Sequence, residues 1–157
     1  MKLFHLSDLH IGKRVNEFSM IEDQKYILKR ILDLAEEEKP DGIILAGDVY
    51  DKQIPSAEAV QVFDEFITRL AGRAIPVFII SGNHDSAERL AFGGRLLNSR
   101  GIYLSPVYDG SVTKIPLKDQ YGTVWIHLLP FIRPSTVRHV SENEGDLVTD
   151  VQTAAET

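Results

Sequence analysis

Residues 75–85 read Ile-Pro-Val-Phe-Ile-Ile-Ser-Gly-Asn-His-Asp, an apolar run that breaks off into the cluster Gly82-Asn83-His84-Asp85. A short continuous run of large apolar side chains, closed by turn-forming residues, fits a strand buried on both faces. Two earlier segments repeat the pattern. Gly42–Ala46 runs into Gly47-Asp48-Val49-Tyr50-Asp51, and Lys2–Ser7 runs into Asp8-Leu9-His10. Between them the spacing turns helical. From about Glu17 to Glu38 the apolar residues Met20, Ile27, Ile31, Leu34 and Ala35 recur with helical period, and Pro40-Asp41-Gly42 stops the helix. Ser56 suits the N-cap of a second helix that carries Val60, Phe63, Phe66, Ile67 and Leu70 on one face.

Strands and helices alternating at these lengths predict an α/β fold, with right-handed βαβ crossovers and a largely parallel sheet. Further out, Ala87–Asn98 reads as helical and Ile102–Leu104 as a short strand. Val112–Leu117 and Thr123–Leu129 flank Lys118–Gly122 as a hairpin added to that core. Asp146–Thr157 reads as a helix without a closing cap. The expectation is one domain's N-terminal part, residues 1–157, truncated before its end.

In an open parallel sheet the carboxyl ends of the strands are where ligands bind. The three polar clusters should therefore meet on one rim. Asp8 and His10 alternate along an extended segment and can face one cation, while the Asp48 carboxylate can bridge two. Asn83 adds a neutral amide oxygen. Nitrogen and oxygen donors without sulfur suit Mn²⁺, Fe²⁺ or Zn²⁺, and the share of hard ligands favours Mn²⁺. A pair of such ions clamps a phosphate and activates water. His84 stands one residue past a ligand, where it could protonate a leaving oxygen, and Asp85 could orient its imidazole. Asp51 could position substrate or stabilise a turn. Lys13, Arg14, Arg89 and Arg133 could touch a phosphate backbone, although solvated surface is the plainer reading of each. His5, inside a strand, reads as a core histidine rather than a ligand, and so, more weakly, does His127.

Composition narrows the classes. Net charge is −6, which argues mildly against nucleic-acid binding by bulk electrostatics, although carboxylates that hold cations are neutralised in use. There is no cysteine, so disulfides, thiolate zinc sites and cysteine nucleophiles are excluded from this chain, and a reducing cytoplasm is the expected location. No apolar run approaches the roughly 20 residues of a membrane span.

Asp8-x-His10, Gly47-Asp48-x-x-Asp51 and Gly82-Asn83-His84-Asp85, in this order after successive strands, resemble the calcineurin-like metallophosphoesterase superfamily. Ile11-Gly12-Lys13, the stretch Phe92–Leu97 and Leu129-Pro130-Phe131 extend the similarity to that superfamily's bacterial double-strand-break nucleases. The resemblance implies the N-terminal half of the superfamily's fold. It implies Asp8, His10, Asp48 and Asn83 as metal ligands, with Asp48 bridging two Mn²⁺ ions, and His84 as the catalytic histidine. It also implies a DNA substrate, an SMC-like ATPase partner, and a homodimer formed through helices bearing Val60, Phe63, Leu96 and Leu97. The family pattern calls for further histidines downstream, among them a Gly-His-x-His segment, and neither His127 nor His139 sits in one. Two rivals stay open. One is a small-molecule phosphodiesterase or phosphoprotein phosphatase of the same superfamily, favoured by the acidic balance. The other is an inactive dimerisation scaffold, favoured by the missing histidines.

Overall fold

A computed structural model of the chain describes residues 1–144. The helix expected at Asp146–Thr157 lies outside them. The elements run β1 (Leu3–Leu6), β2 (Arg14–Val15), β3 (Phe18–Ser19), α1 (Ile21–Glu38), β4 (Gly42–Ala46), α2 (Ala57–Ala71) and β5 (Val77–Ile80). They continue α3 (Ala87–Leu90), α4 (Gly94–Asn98), β6 (Ile102–Leu104), β7 (Thr113–Asp119), β8 (Gly122–Leu128) and α5 (Pro134–Glu144). β1, β4, β5 and β6 form one parallel sheet in the order β1-β4-β5-β6, as the alternation required. β7 and β8 make the separate antiparallel hairpin.

Register divides the sheet residues between two faces. Phe4, Leu6, Ile43, Leu45, Val77, Ile79, Ile102 and Leu104 share the face that meets the buried sides of α1 and α2. On the other face Phe78 stacks on Tyr103, and a side chain at Gly42 would touch Leu117 of the hairpin. His5 lies on this second face and is exposed, not in the core as its strand position suggested. The reason is that β1 is an edge strand, so nothing flanks it on its outer side.

The helices differ from expectation in detail. Residues 14–19 form a two-stranded ribbon closed by Asn16 and Glu17, both with positive φ, so α1 begins at Ile21 rather than Glu17. Its buried stripe is Ile21, Leu28, Leu32 and Ala35, rotated by one residue from the expected one, and Ile27 and Leu34 face solvent. Ser56 caps α2, its hydroxyl accepting from the Ala59 N–H at 3.2 Å. The single helix expected over Ala87–Asn98 is broken into α3 and α4 at Gly93, whose φ of +77° interrupts the helical path. Among the described residues no helix is long and apolar enough to cross a membrane.

Candidate metal centre

The loops leaving β1 and β4 stay paired beyond the sheet. Asp8 N–H donates to the Gly47 carbonyl at 3.2 Å, His10 N–H to Asp48 at 2.9 Å and Ile11 N–H to Val49 at 2.9 Å. The loop after β5 comes in from the other side, and the contact is backbone on backbone. A Cβ at Gly47 would stand 2.9 Å from the Gly82 Cα, and one at Gly82 would stand 2.8 Å from the Asp48 Cγ. Neither position has room for a side chain. This close approach brings the three clusters onto one rim.

Asp8, His10 and Asp48 all hold positive φ, at 56°, 43° and 50°. Left-handed backbone is uncommon outside glycine, and strain of this kind concentrates where function fixes the direction of a side chain. Here it turns three successive polar groups toward one point. Donor atoms of His10, Asp48 and His84 lie within 4.8 Å of one another. His10 Nε2 is 3.7 Å from Asp8 Oδ1 and 3.9 Å from Asp48 Oδ2, and its Nδ1 is 3.8 Å from Asp51 Oδ1. The His10 and His84 rings meet edge to face with centroids 4.8 Å apart.

This donor set fits a divalent cation. Asp8, Asp48 and Asp51 crowd around one imidazole, and among the described residues no Lys or Arg is ion-paired with any of them. The buried Nδ1 of His10 has no hydrogen-bond partner. Clustered carboxylates and an orphaned imidazole nitrogen are the groups that a hard-to-borderline metal ion satisfies.

The other expected residues take more varied positions. The Asp48 Oδ1 accepts the His84 backbone N–H at 2.9 Å. Asn83 is partly exposed beside it, its amide making no hydrogen bond among the described residues. Asp85 does not touch the His84 ring. It is 6 % exposed, and its two oxygens accept backbone N–H groups from Val49 at 3.1 Å, Tyr50 at 2.9 Å and Gly82 at 2.9 Å. Its carboxylate therefore bolts the second loop to the third. What holds the His84 imidazole is the Asp51 carbonyl, 3.0 Å from Nδ1, which makes Nδ1 the protonated nitrogen and leaves Nε2 free. Burial, helped by the negative Asp85 and Asp64, pushes the neighbouring Tyr50 phenol up to about 12.

Arg14 is exposed, its guanidinium donating to the Glu17 carbonyl of its own turn, and Lys13 is exposed as well. His127 lies on β8 opposite Lys114 and is exposed. Of the expected interface residues, Leu96 is 80 % and Val60 43 % exposed. Phe63 is 4 % exposed and packs edge to face on Tyr50, and Leu97 is partly buried against the core. Phe63 is thus a core residue, because α2 turns that side toward the sheet.

Gln24 of α1 escaped the sequence reading. Its side-chain NH₂ donates to the carbonyls of Leu9 at 3.0 Å and His10 at 2.7 Å, and its oxygen accepts from Gly12 N–H at 2.9 Å. One amide thereby pins the loop that carries Asp8 and His10. The signal lay in the helical spacing: Gln24 falls three residues after Ile21 and four before Leu28, a lone amide in an apolar stripe. Gln24→Ala should cost about 1–3 kcal/mol of stability, the penalty for stranding partly buried backbone groups. Mn²⁺ affinity should fall by about 10–100-fold, as for other groups that orient ligands. Denaturant unfolding and calorimetry test both, and an unchanged affinity would remove Gln24 from the site.

The Metallophos family model, described as calcineurin-like phosphoesterase, matches residues 1–150. The chain is also similar to the SbcD component of the nuclease SbcCD from Staphylococcus epidermidis, with 38 % identity over 140 residues. That alignment covers 88 % of this chain and 36 % of the relative, so the chain spans little more than a third of that protein's length. With the match covering nearly the whole chain and the three loops meeting at a cation-ready cluster, the chain belongs to the calcineurin-like phosphoesterase family.

Proposed function

We propose that residues 1–157 are the N-terminal part of the nuclease domain of an SbcD-like DNA exo/endonuclease that uses two Mn²⁺ ions and processes double-strand breaks or hairpins. The observation that carries this reading is the convergence of His10, Asp48 and His84 within 4.8 Å, on loops whose motifs match the family. The nuclease named in the similar protein supports DNA over other phosphodiesters. The same name, which makes that protein one component of SbcCD, supports an SbcC-like ATPase of the SMC type as partner.

When bound, a pair of divalent cations supplies Lewis-acid and nucleophile-generating chemistry for phosphodiester hydrolysis. The chain's own residues do the rest. Asp8, His10 and Asp48 hold the cations with Asn83, and Asp48 also fixes the third loop by accepting the His84 N–H. His84, with Nδ1 committed to the Asp51 carbonyl, offers Nε2 to the leaving oxygen or to the charge that develops on the phosphate. The exposed Phe92 and Leu96, with Val60, support a homodimer through α2 and α4.

The test is Mn²⁺-dependent cleavage of duplex DNA by the intact protein. His84→Ala should lower the rate by about 10²–10⁴-fold, the range for a lost general acid, with Mn²⁺ affinity retained. A protein that hydrolyses cyclic or chromogenic phosphoesters and leaves DNA whole would establish the phosphatase reading instead.

A further inference from the structure

Two cavities border the metal centre. Toward β1, a notch of about 360 Å³ is lined by Gly12, Arg14, Asp51 and Lys52, a cationic rim suited to phosphates. Toward β6 lies a second cavity of about 240 Å³, lined by Gln53, Asn83, Val107, Tyr108, Phe131 and Arg133. Its chemistry differs. Phe131 is 50 % and Val107 40 % exposed, and with Tyr108 they give flat apolar surface. The amides of Gln53 and Asn83 can each donate and accept, and Arg133 adds one cation. This cavity is tied to the metal-binding loop through the main chain. Phe131 N–H donates to the Ser81 carbonyl at 2.8 Å, two residues before Asn83.

We propose that this second cavity takes a nucleobase adjoining the phosphate held at the metal centre, stacked on Phe131 or Tyr108. The inference rests on the phosphodiesterase reading above. A group lodged beside Asn83 must be joined to the reacting phosphate by a short linkage, and in a nucleotide the base is so joined through the sugar. Aromatic faces accept any base, and amides can pair with the edge of each, so the site tolerates sequence rather than reading it. A base inside a duplex is already stacked on both sides and must leave the helix to enter. The protein should accordingly favour frayed ends, single strands and unpaired loops over duplex interiors.

The experiment is equilibrium binding to the 157-residue chain in Mn²⁺, with thymidine 5′-monophosphate, deoxyribose 5-phosphate, inorganic phosphate and O-phosphotyrosine as probes. The nucleotide should bind about ten-fold more tightly than the sugar phosphate, the size of one base–aromatic stack. Phe131→Ala or Tyr108→Ala should erase most of that margin with the thermal midpoint unmoved, and Phe131→Trp should keep it. Equal binding of nucleotide and sugar phosphate, with inorganic phosphate still bound, overturns the base site and leaves the phosphodiesterase reading intact. A margin that survives both alanine variants overturns it too. Phosphotyrosine binding as tightly as the nucleotide overturns the occupant. Failure of every phosphate to bind in Mn²⁺ brings down the underlying reading and the inference with it.

Discussion

Asp85→Ala should lower the unfolding free energy by about 3–5 kcal/mol, a large loss for a domain whose whole margin is about 5–15 kcal/mol. The carboxylate is almost wholly buried and accepts three N–H groups from two loops. Each stranded donor costs about 1–3 kcal/mol unless water reaches it, and bonds to an ionised acceptor are the stronger kind. Water can relieve part of the loss because the Tyr50 N–H is only part-buried, which sets the total below three full penalties. Asp85→Asn should fall between, since the amide has one accepting oxygen for three donors and turns an NH₂ toward at least one of them. Denaturant titration should move the midpoint with little change in slope. Amide exchange at Val49, Tyr50 and Gly82 should quicken ahead of the sheet, because the bolt between loops goes first. A loss under about 1 kcal/mol, with those amides still protected, would mean that Asp85 is not what joins the loops.

The fate of Asp85 shows how far the sequence could be read. Its place in Gly-Asn-His-Asp, beside a histidine, suggests the partner that orients the ring. Its actual bonds reach residues 36 and 35 positions earlier, along with one local contact. Contacts of that span depend on which strands become neighbours, and no local pattern states them. The strands themselves were legible, since continuous apolar runs ending in glycine leave few alternatives once the crossovers must be right-handed. So was Ser56, because an N-cap is a short-range device. The stripe of α1 differs by one residue from its apolar periodicity because Ile27 and Leu34 are apolar yet exposed, and apolarity alone does not separate the core from the surface. Splitting of the helix at Gly93 was signalled by the Gly93-Gly94 pair, but its left-handed turn needed coordinates. In the centre itself, motif order was enough to gather the loops. The positive φ of Asp8, His10 and Asp48, and the Asp51 carbonyl that sets the His84 tautomer, are backbone properties and have no side-chain signature.

Asp48→Asn separates stability from metal binding more sharply than any other substitution in the centre. Asparagine tolerates the left-handed backbone at φ 50° as well as aspartate does, and its side-chain oxygen can still accept the His84 N–H. Without a cation, the site crowds Asp8, Asp48 and Asp51 around His10. Removing one negative charge from that cluster relieves repulsion, so the metal-free thermal midpoint should stay level or rise. Binding goes the other way. A carboxylate that reaches two cations with full charge becomes an amide with one weak donor atom. The loss should exceed the roughly 10–100-fold typical of groups that merely orient ligands. The metal-bound and metal-free midpoints, well separated in the parent, should therefore coincide in the variant, because stabilisation by a ligand vanishes when its concentration falls below Kd. Calorimetry with Mn²⁺ supplies the second measurement. A variant that unfolds earlier without metal would make Asp48 structural, and one that still gains the parent's full stabilisation from Mn²⁺ would move the cations away from Asp48 altogether.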